Sequence, residues 1–404
     1  MHIKCTNGTP KVDMLDHLPP LPLLIDYETR YGVAVWPVLT EQDELGIYHA
    51  LRLHDRVYHI HLNLPPSTFH KVFVLLAEQF PILEHLSLTS SATSKNGLPL
   101  TFPKAFLAPN LRHLALPGIS PPRRLQLLTS AVFLVTLHIG NIQTSSYFHP
   151  RLLVARLQSL PRLEELHIGF AVPIPRPSTE RELLGEQRTP VTLPSLKTLW
   201  FKGVGAYLES LVAQIRAPRL EGLDITLLNQ IAFALPHLSN LIDITEAFKP
   251  PSATVGFYDN AVYLTMANGP TQSNWRPVLL RVMCNQLDWQ IDCAAQICHA
   301  LIPALSSIEE LTLSRYEEIA TELRNGAIDS ATWNDLLRMF IGVKKLYIYS
   351  LLLEELSRAL QVEEVGSDPG FLPHLGSILA SDNLFTSFID TRQVVGRPVQ
   401  FVLR

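Results

Sequence analysis

The chain has 404 residues, of which 47% are hydrophobic and 17% charged, and its net charge is −4 at neutral pH. Lys and Arg stand in pairs such as Arg123-Arg124 and Lys344-Lys345 and form no long basic block, which argues against a nucleic-acid or anionic-membrane partner. The opening residues MHIKCTNGTPKVD lack the apolar core of a signal peptide, and no run reaches the ~18 apolar residues of a membrane helix. We therefore expect an intracellular protein, cytoplasmic or nuclear.

A nine-residue phrase recurs along the chain. It reads FPILEHLSL at 80–88, LPRLEELHI at 160–168, LPSLKTLWF at 193–201 and APRLEGLDI at 217–225. Its apolar positions follow the pattern L-x-x-L-x-L, and such self-similarity predicts a repeat architecture. The copies are Val57-Ile60-Leu62, Leu83-Leu86-Leu88, Leu111-Leu114-Leu116, Leu134-Leu137-Ile139, Leu163-Leu166-Ile168, Leu196-Leu199-Phe201, Leu220-Leu223-Ile225, Ile308-Leu311-Leu313, Val343-Leu346-Ile348 and the partial Leu375-Ile378.

Each copy combines a strand with a following helix. The alternation within L-x-L is a strand period with one buried face, and stacked copies would share a continuous apolar core. The segments between copies, such as STFHKVFVLLAEQF at 67–80 and PRLLVARLQSL at 150–160, have helical apolar spacing. The pattern predicts an α/β fold, an irregular leucine-rich-repeat-like solenoid with a parallel sheet on the concave side and helices on the convex side. We expect residues 40–404 to form this single array.

Three segments interrupt the pattern. Residues 171–191 are expected to be an insertion. A block at about 250–285 contains β-rich runs on either side of Asp259-Asn260, which predict a hairpin, and PVLLRVMCNQLDW could form another strand. A helix at about 383–396 is expected to cap the last open edge of the array.

The positions on either side of the second apolar residue of each copy should point into the concave face, where solenoids bind. Six of the first fourteen such positions are His. Three interpretations stay open: an ordinary polar surface, a protein-binding face whose charge rises below about pH 6.5, or a metal or catalytic cluster. The candidate protein-binding residues are His59, His61, His85, His113, His138, Glu165, His167, Trp200, Asp224, Lys345 and Tyr347.

Other chemistry has little support in the sequence. Trp200 could anchor a partner or pack under the next repeat. Cys293 and Cys298 fit packed free thiols better than a metal site, because no second Cys/His pair with zinc spacing accompanies them. Motifs for phosphate loops, nucleophile elbows and zinc proteases are missing. We expect no catalytic residue, no metal and no cofactor.

The chain resembles the F-box-type, leucine-rich-repeat-like proteins that are abundant in mushroom-forming fungi. The resemblance rests on phrases in order, including LTFPKAFLAPNLRHLALPGI, SSYFHPRLLVARLQSLPRLEELHIGF, QLDWQIDCAAQICHAL and FTSFIDTRQVVGRPVQFVLR, and covers roughly residues 4–404. It implies a non-catalytic repeat domain that captures a target protein for an SCF ubiquitin ligase. An F-box would dock such a chain on the SCF adaptor subunit.

The resemblance also implies that residues 1–39 correspond to the linker that follows the F-box. No Leu-Pro-rich helical F-box is recognisable in the chain. Either the sequence starts downstream of that module, or this copy has lost it. The SCF adaptor is therefore an expected partner only if an F-box exists upstream, and the alternative is a free-standing protein-interaction module with an unknown target.

Overall fold

The fold is taken from a computed structural model of the chain. It describes residues 2–8, 12–15, 17, 19–28, 39–90, 100–122, 127–173, 189–228, 234–258, 260–267, 277–284, 287–315, 330–361, 368 and 370–403. The predicted α/β class with mostly parallel strands is confirmed. The chain divides into two compact units, unit 1 with residues 1–203 and 213–219, and unit 2 with residues 204–212 and 220–404.

The strands and helices alternate along most of the described chain. The strands are β1 (Ile3–Cys5), β2 (Leu23–Glu28), β3 (Val57–Leu64), β4 (His85–Ser90), β5 (His113–Ala115), β6 (Thr136–Ile142), β7 (Glu165–Phe170), β8 (Val191–Thr192), β9 (Thr198–Gly203), β10 (Ile215–Arg216), β11 (Gly222–Leu228), β12 (Ser252–Tyr258), β13 (Ala261–Ala267), β14 (Val278–Met283), β15 (Glu310–Arg315), β16 (Lys345–Ile348), β17 (Ser377–Ala380) and β18 (Gln400–Leu403).

The helices vary from one turn to four. They are α1 (Val12–Leu15), α2 (Glu41–Arg52), α3 (Pro66–Leu75), α4 (Leu127–Ser130), α5 (Pro150–Leu157), α6 (Gly205–Val212), α7 (Pro236–Ile244), α8 (Leu287–Ala300), α9 (Ile302–Leu305), α10 (Ser330–Leu337), α11 (Leu353–Leu360) and α12 (Thr386–Val394). None of the helices in the described ranges combines the length and apolar character that a membrane crossing requires.

Unit 1 contains a parallel sheet whose strands follow chain order from β1 to β7 and then β9. Equivalent residues of neighbouring copies pair with each other, for example Ile60 beside Leu86 and Leu86 beside Leu114. The register shifts between Leu23 and Leu24 and between Ile139 and Ile142. Ile60, Leu86 and Leu114 are at most 1% exposed, so one sheet face forms the core. The opposite face is only half buried, and it is this face that presents the predicted site residues.

The recurring phrase folds as a tight turn followed by a strand. In FPIL at 80–83 the amide of Leu83 donates to the carbonyl of Phe80 at 3.4 Å, and Leu163 repeats this bond with Leu160 at 3.2 Å. Pro at the second position suits such a turn, because its fixed φ matches the geometry there. The first residue of the L-x-x-L-x-L pattern, such as Leu83 or Leu163, therefore donates the backbone hydrogen bond that completes the turn before its strand.

Successive copies are also joined by a repeated backbone contact. The carbonyl of Glu84 accepts the amides of both Arg112 and His113, at 2.8 and 2.9 Å. The same two-amide contact follows one copy later, where the carbonyl of Arg112 accepts from Val135 and Thr136 at 2.7 and 3.0 Å. In unit 2 the carbonyl of Glu309 receives Lys344 and Lys345 in the same way. This joint fixes the offset between neighbouring strands.

The sheet of unit 1 begins earlier than the sequence indicated. Strands β1 and β2 lie within residues 1–39, the segment expected to be a linker, and β2 pairs with β3 in parallel. Leu23, Ile25 and Tyr27 are buried, at 2% exposure or less. The segment LLIDYE has the alternation of a strand but not the leucine phrase, which is why the phrase-based boundary fell at residue 40.

Unit 2 contains a mixed sheet in the order β11, β14, β13, β12, β15, β16, β17 and β18. Strands β12 and β13 form an antiparallel hairpin, with Tyr258 opposite Ala261, in the place predicted around Asp259-Asn260. Residue 259 itself lies outside the described residues. Strand β14 occupies the predicted extra strand, and β12 pairs in parallel with β15. Of the predicted insertion at 171–191, positions 174–188 also lie outside the described residues.

The end of unit 2 differs from the expected cap. Helix α12 forms near the predicted 383–396, but the chain then continues into β18, which pairs in parallel with β17. The helix is held by Arg392, which is 0% exposed and donates to the carbonyls of Phe371 and Leu372, each at 3.0 Å. A strand, and not the helix, therefore follows β17 in the sheet.

Candidate binding face

The half-buried side of the unit 1 sheet carries most of the predicted site residues. We call it the histidine face. Its members are His59, His61, His85, His113, Thr136, His138, Glu165, His167 and Trp200. Because successive copies pair in register, equivalent positions of the recurring phrase are placed side by side on this face. They form two rows that run across the strands.

The first row starts with three stacked imidazoles. His59 and His85 have ring centroids 5.0 Å apart, and His85 and His113 are 4.2 Å apart with only 9° between their planes. The Nδ1 atom of His113 lies 3.2 Å from the hydroxyl oxygen of Thr136 on the next strand. Glu165 continues the row, in register with Thr136. Rings stacked in this way direct their nitrogens to the rim of the stack and not toward a common point.

The second row ends in an aromatic platform. His138 and His167 have centroids 5.2 Å apart, and His167 stacks on Trp200 at 6.0 Å with 20° between the planes. The indole also covers Gly169, where an added Cβ would lie 2.8 Å from Trp200 Cζ3. Trp200 is half-buried and packs within the sheet surface, so part of its ring remains available to a partner.

Burial favours the neutral form of three imidazoles on this face, those of His59, His85 and His138. The pKa of His59 is lowered to about 4, by burial first and then by the nearby His85 and His61, while Asp26 acts in the opposite direction. Burial also lowers the pKa of His85, with His113 as the next cause, and the pKa of His138, with His167 as the next cause. These three residues therefore present uncharged rings near neutral pH.

Two carboxylates on this side of the sheet, those of Asp26 and Glu165, lie close to basic side chains. Lys4 Nζ lies 2.9 Å from Asp26 Oδ2, and Asp26 stands in register with His61. Glu165 Oε2 lies 4.0 Å from His167 Nε2. Lys4 and Asp26 were missed by the sequence analysis, because their strands lack the leucine phrase and show only alternation.

The remaining predicted residues lie in unit 2, where Lys345 and Tyr347 share β16 and Asp224 lies on β11, apart from them. Asp224 on β11 pairs with Leu279 on β14, whereas Tyr347 on β16 pairs with Thr312 and Leu379. Four strands separate β11 from β16 in this sheet. Lys345 is exposed, and its Nζ lies 2.9 Å from Glu310 Oε1.

Within the described part of the chain, no group of three or more His, Cys, Asp or Glu residues is placed to hold a metal ion. A cavity of about 380 Å3 in unit 1 lies away from the histidine face and is lined by Arg151, Val154, Ala155, Gln158, Thr189, Pro190, Val191, Thr192 and Gln214. The predicted site residues take no part in that cavity. What the histidine face offers is an extended surface of ring edges and one partly open indole.

Comparisons with known proteins leave the family open. No protein-family model and no curated protein matches the chain. Among solved structures, the chain is similar to the crystal structure of the leucine-rich repeat-containing protein LegL7 from Legionella pneumophila, at 12% sequence identity over 99% of each chain. The TM-score is 0.31, and at that value the likeness carries no argument about this chain.

Proposed function

We propose that this chain is a non-catalytic protein-binding module, built as an irregular leucine-rich-repeat-like solenoid with its sheet on the concave side and its helices on the convex side. The histidine face is the surface that takes the partner. The role is that of the target-recognition region of an F-box receptor in an SCF ubiquitin ligase. In such a ligase other subunits perform the chemistry, and the receptor contributes proximity.

The observation that carries the proposal is the register of unit 1. Alternate residues of β3 to β7 and β9 are buried in the core, and the residues between them line up on the half-buried face. A surface assembled from one or two residues of each copy suits an extended protein partner, because contact area is spread over many strands. The indole of Trp200 supplies an aromatic anchor of the kind that dominates protein interfaces.

A second candidate is a free-standing interaction module that binds the same targets without joining a ligase. A module of this kind would compete with intact receptors for their targets. The two candidates share the histidine face and differ only in whether the SCF adaptor subunit is bound.

The recognition role is tested by affinity capture with the tagged full chain, coupled to chemical crosslinking. Trp200→Ala, and separately His85→Gln with His113→Gln, should each reduce recovery of the captured protein at least about tenfold, as expected for an interface anchor. Trp289→Ala is the matched control, since Trp289 lies on α8 and is 59% exposed. Equal recovery by all variants, or crosslinks confined to other surfaces, would contradict the proposal.

The ligase role is tested separately with purified SCF adaptor subunit. The chain alone, and the chain extended by any F-box encoded upstream, are compared for co-elution with the adaptor. Co-elution of either form supports the receptor role. Target capture without adaptor binding by either form supports the free-standing module and rejects the receptor.

A further inference from the structure

The cavity of unit 1 lies between helix α5 and the segment that contains β8, and we call it the α5–β8 cavity. One wall is a single face of α5, whose members follow the helical spacing of three, four and seven residues and are Arg151, Val154, Ala155 and Gln158. The other wall is formed by residues 189–192 and Gln214. The amide of Val191 donates to the carbonyl of Gln214 at 2.8 Å, so the parts of this second wall are held together.

The helical wall is also fixed in place. Leu153 and Leu157 lie on the same helix and are both 0% exposed, so α5 is anchored in the core of unit 1. The cavity therefore has both walls formed before a ligand arrives, and a preformed site lowers the ordering cost of binding.

The polar groups that line the cavity favour a negatively charged ligand. Arg151 is the cation among them, and none of the lining residues in the described part of the chain is acidic. Arg151 also makes contacts within the chain, but a guanidinium has five N–H donors and can serve more than one acceptor. The charge of the lining is therefore complementary to an anion.

The neutral part of the lining is suited to a ligand with both polar and apolar groups. The side chains of Gln158, Thr189 and Thr192 are exposed and make no hydrogen bond within the described part of the chain. They can therefore bond to a ligand without giving up a contact of their own, as donors or as acceptors. Val154 and Pro190 add apolar surface to the same walls.

We propose that the α5–β8 cavity binds a small monocarboxylate with a short aliphatic body and one further hydrogen-bonding group. Arg151 receives the carboxylate, because the planar fork of a guanidinium matches its two oxygens. A phosphate group carries about −1.5 to −2 charges, which one guanidinium would not balance. The volume of about 380 Å3 lies near the lower end of the roughly 300–1,000 Å3 of ligand pockets, as a small molecule requires.

The probe is N-acetyl-L-leucine, which joins one carboxylate to an aliphatic side chain and an amide group. Titration calorimetry of the full chain at pH 7 should give a dissociation constant of about 1 mM or tighter. The neutral N-acetyl-L-leucinamide should bind at least about tenfold more weakly, because the guanidinium loses its charged acceptor. Inorganic phosphate, and acetyl-trialanyl-leucine with its carboxylate at the end of a peptide, should bind no more tightly than the probe.

Four variants assign the site. Arg151→Gln should weaken binding of the acid at least about tenfold and leave binding of the amide unchanged, whereas Arg151→Lys should keep part of the affinity because the charge remains. Arg156→Gln is the matched control, since Arg156 lies on the same helix and does not line the cavity. Ala155→Trp, at an exposed position of the helical wall, should fill the cavity and abolish binding of both molecules. Unfolding in urea verifies that each variant is folded.

Four results would overturn the proposal. The first is no binding of N-acetyl-L-leucine at about 10 mM, and the second is equal affinity for the acid and its amide. Undiminished binding in both Arg151→Gln and Ala155→Trp would place the ligand elsewhere. Tighter binding of phosphate or of acetyl-trialanyl-leucine would assign the cavity to a different ligand. The cavity shares no residue with the histidine face, so none of these outcomes depends on the proposed recognition function.

Discussion

The imidazole rings of His85 and His113 lie face to face on neighbouring strands, with centroids 4.2 Å apart and planes 9° from parallel. The two residues are directly paired in the sheet, and His59 extends the stack at 5.0 Å from His85. Stacked rings shield one another from water, and a charge on one ring disfavours a charge on the next. Burial and the neighbouring rings favour the neutral form of His59 and His85, so acid should weaken the stack.

We expect acid to destabilise unit 1 through this stack. The pKa of His59 is about 4 in the folded chain because of burial first and neighbouring histidines second, below the ordinary value of about 6.5 for histidine. Between these values the unfolded chain binds more protons, so stability is complete above about pH 6.5 and falls as the pH drops toward 4. For a half-buried group this amounts to roughly 1–2 kcal/mol.

The measurement is the free energy of unfolding in urea at pH 7 and at pH 4.5. His59→Gln should reduce the loss between the two pH values, because glutamine does not titrate. His70→Gln is the control, since His70 is exposed on α3. If His59→Gln and the unmodified chain lose the same stability, the stack does not couple folding to protonation. The sequence analysis placed the rise in charge below about pH 6.5, and for His59, His85 and His138 the lowered pKa moves that rise to lower pH.

Gly169 should set the position of Trp200. A Cβ at Gly169 would lie 2.8 Å from Cζ3 of the indole, so Gly169→Ala must displace the ring. We expect a loss of about 1–2 kcal/mol in the free energy of unfolding and a shift of the tryptophan emission that disappears in the Trp200→Phe background. Gly376→Ala is the matched control, because its nearest neighbour would be the Lys344 carbonyl at 3.7 Å. An unchanged emission in Gly169→Ala would contradict the described packing.

Gly256 should be required by the hairpin of unit 2. The ring of Tyr263 occupies the space of a Gly256 side chain, so that an added Cβ would overlap the Tyr263 Cζ atom. The Tyr263 hydroxyl lies 3.4 Å from the hydroxyl of Ser314. Gly256→Ala should cost about 2–4 kcal/mol, because a buried ring must move. In the Tyr263→Ala background the same change should cost less than about 1 kcal/mol, as a double-mutant cycle would measure. Additive costs would show that the two residues are not in contact.

Arg392 should anchor helix α12. Its two Nη atoms donate to the carbonyls of Phe371 and Leu372 in a site without solvent exposure. Arg392→Ala leaves both carbonyls without these bonds, and we expect a loss of about 2–4 kcal/mol. Arg392→Lys should recover less than half of it, since an ammonium group lacks the planar fork. Unfolding in urea measures the free energy of unfolding of both variants. Gln393→Ala is the control, because Gln393 is exposed on the same helix. If Arg392→Ala costs no more than Gln393→Ala, Arg392 does not anchor the helix.

Much of the strand pattern could be predicted from the sequence, because residues close together in the chain specify each turn and strand. Leu83, Leu86 and Leu88 specify a turn and a strand within nine residues, and the period of two assigns His85 and Ser87 to the opposite face. That is why the six predicted histidines of unit 1 fall on one side of its sheet. Local spacing was enough, because parallel copies repeat the same offset.

The rest depended on pairing between distant segments. The alternation on both sides of residue 259 predicts a hairpin, but nothing local indicates that β12 continues the parallel series beside β15 while β13 runs against it. For Trp200 the sequence left two alternatives. The deciding residue is Gly169 on the preceding strand, whose missing side chain makes room for the indole. The indole of Trp200 is half-buried, so it packs against its own sheet and also leaves part of its ring open to a partner.

The joint between copies has a consequence for how such a chain can change. Where one carbonyl receives two amides from the next copy, only main-chain atoms take part, and the residues that supply the carbonyl include Glu84, Arg112 and Val135. Mutation at these positions replaces a side chain and leaves the connection intact. Descendants of such a chain can thus diverge until little letter-by-letter likeness survives, while each strand keeps its place next to the one before it.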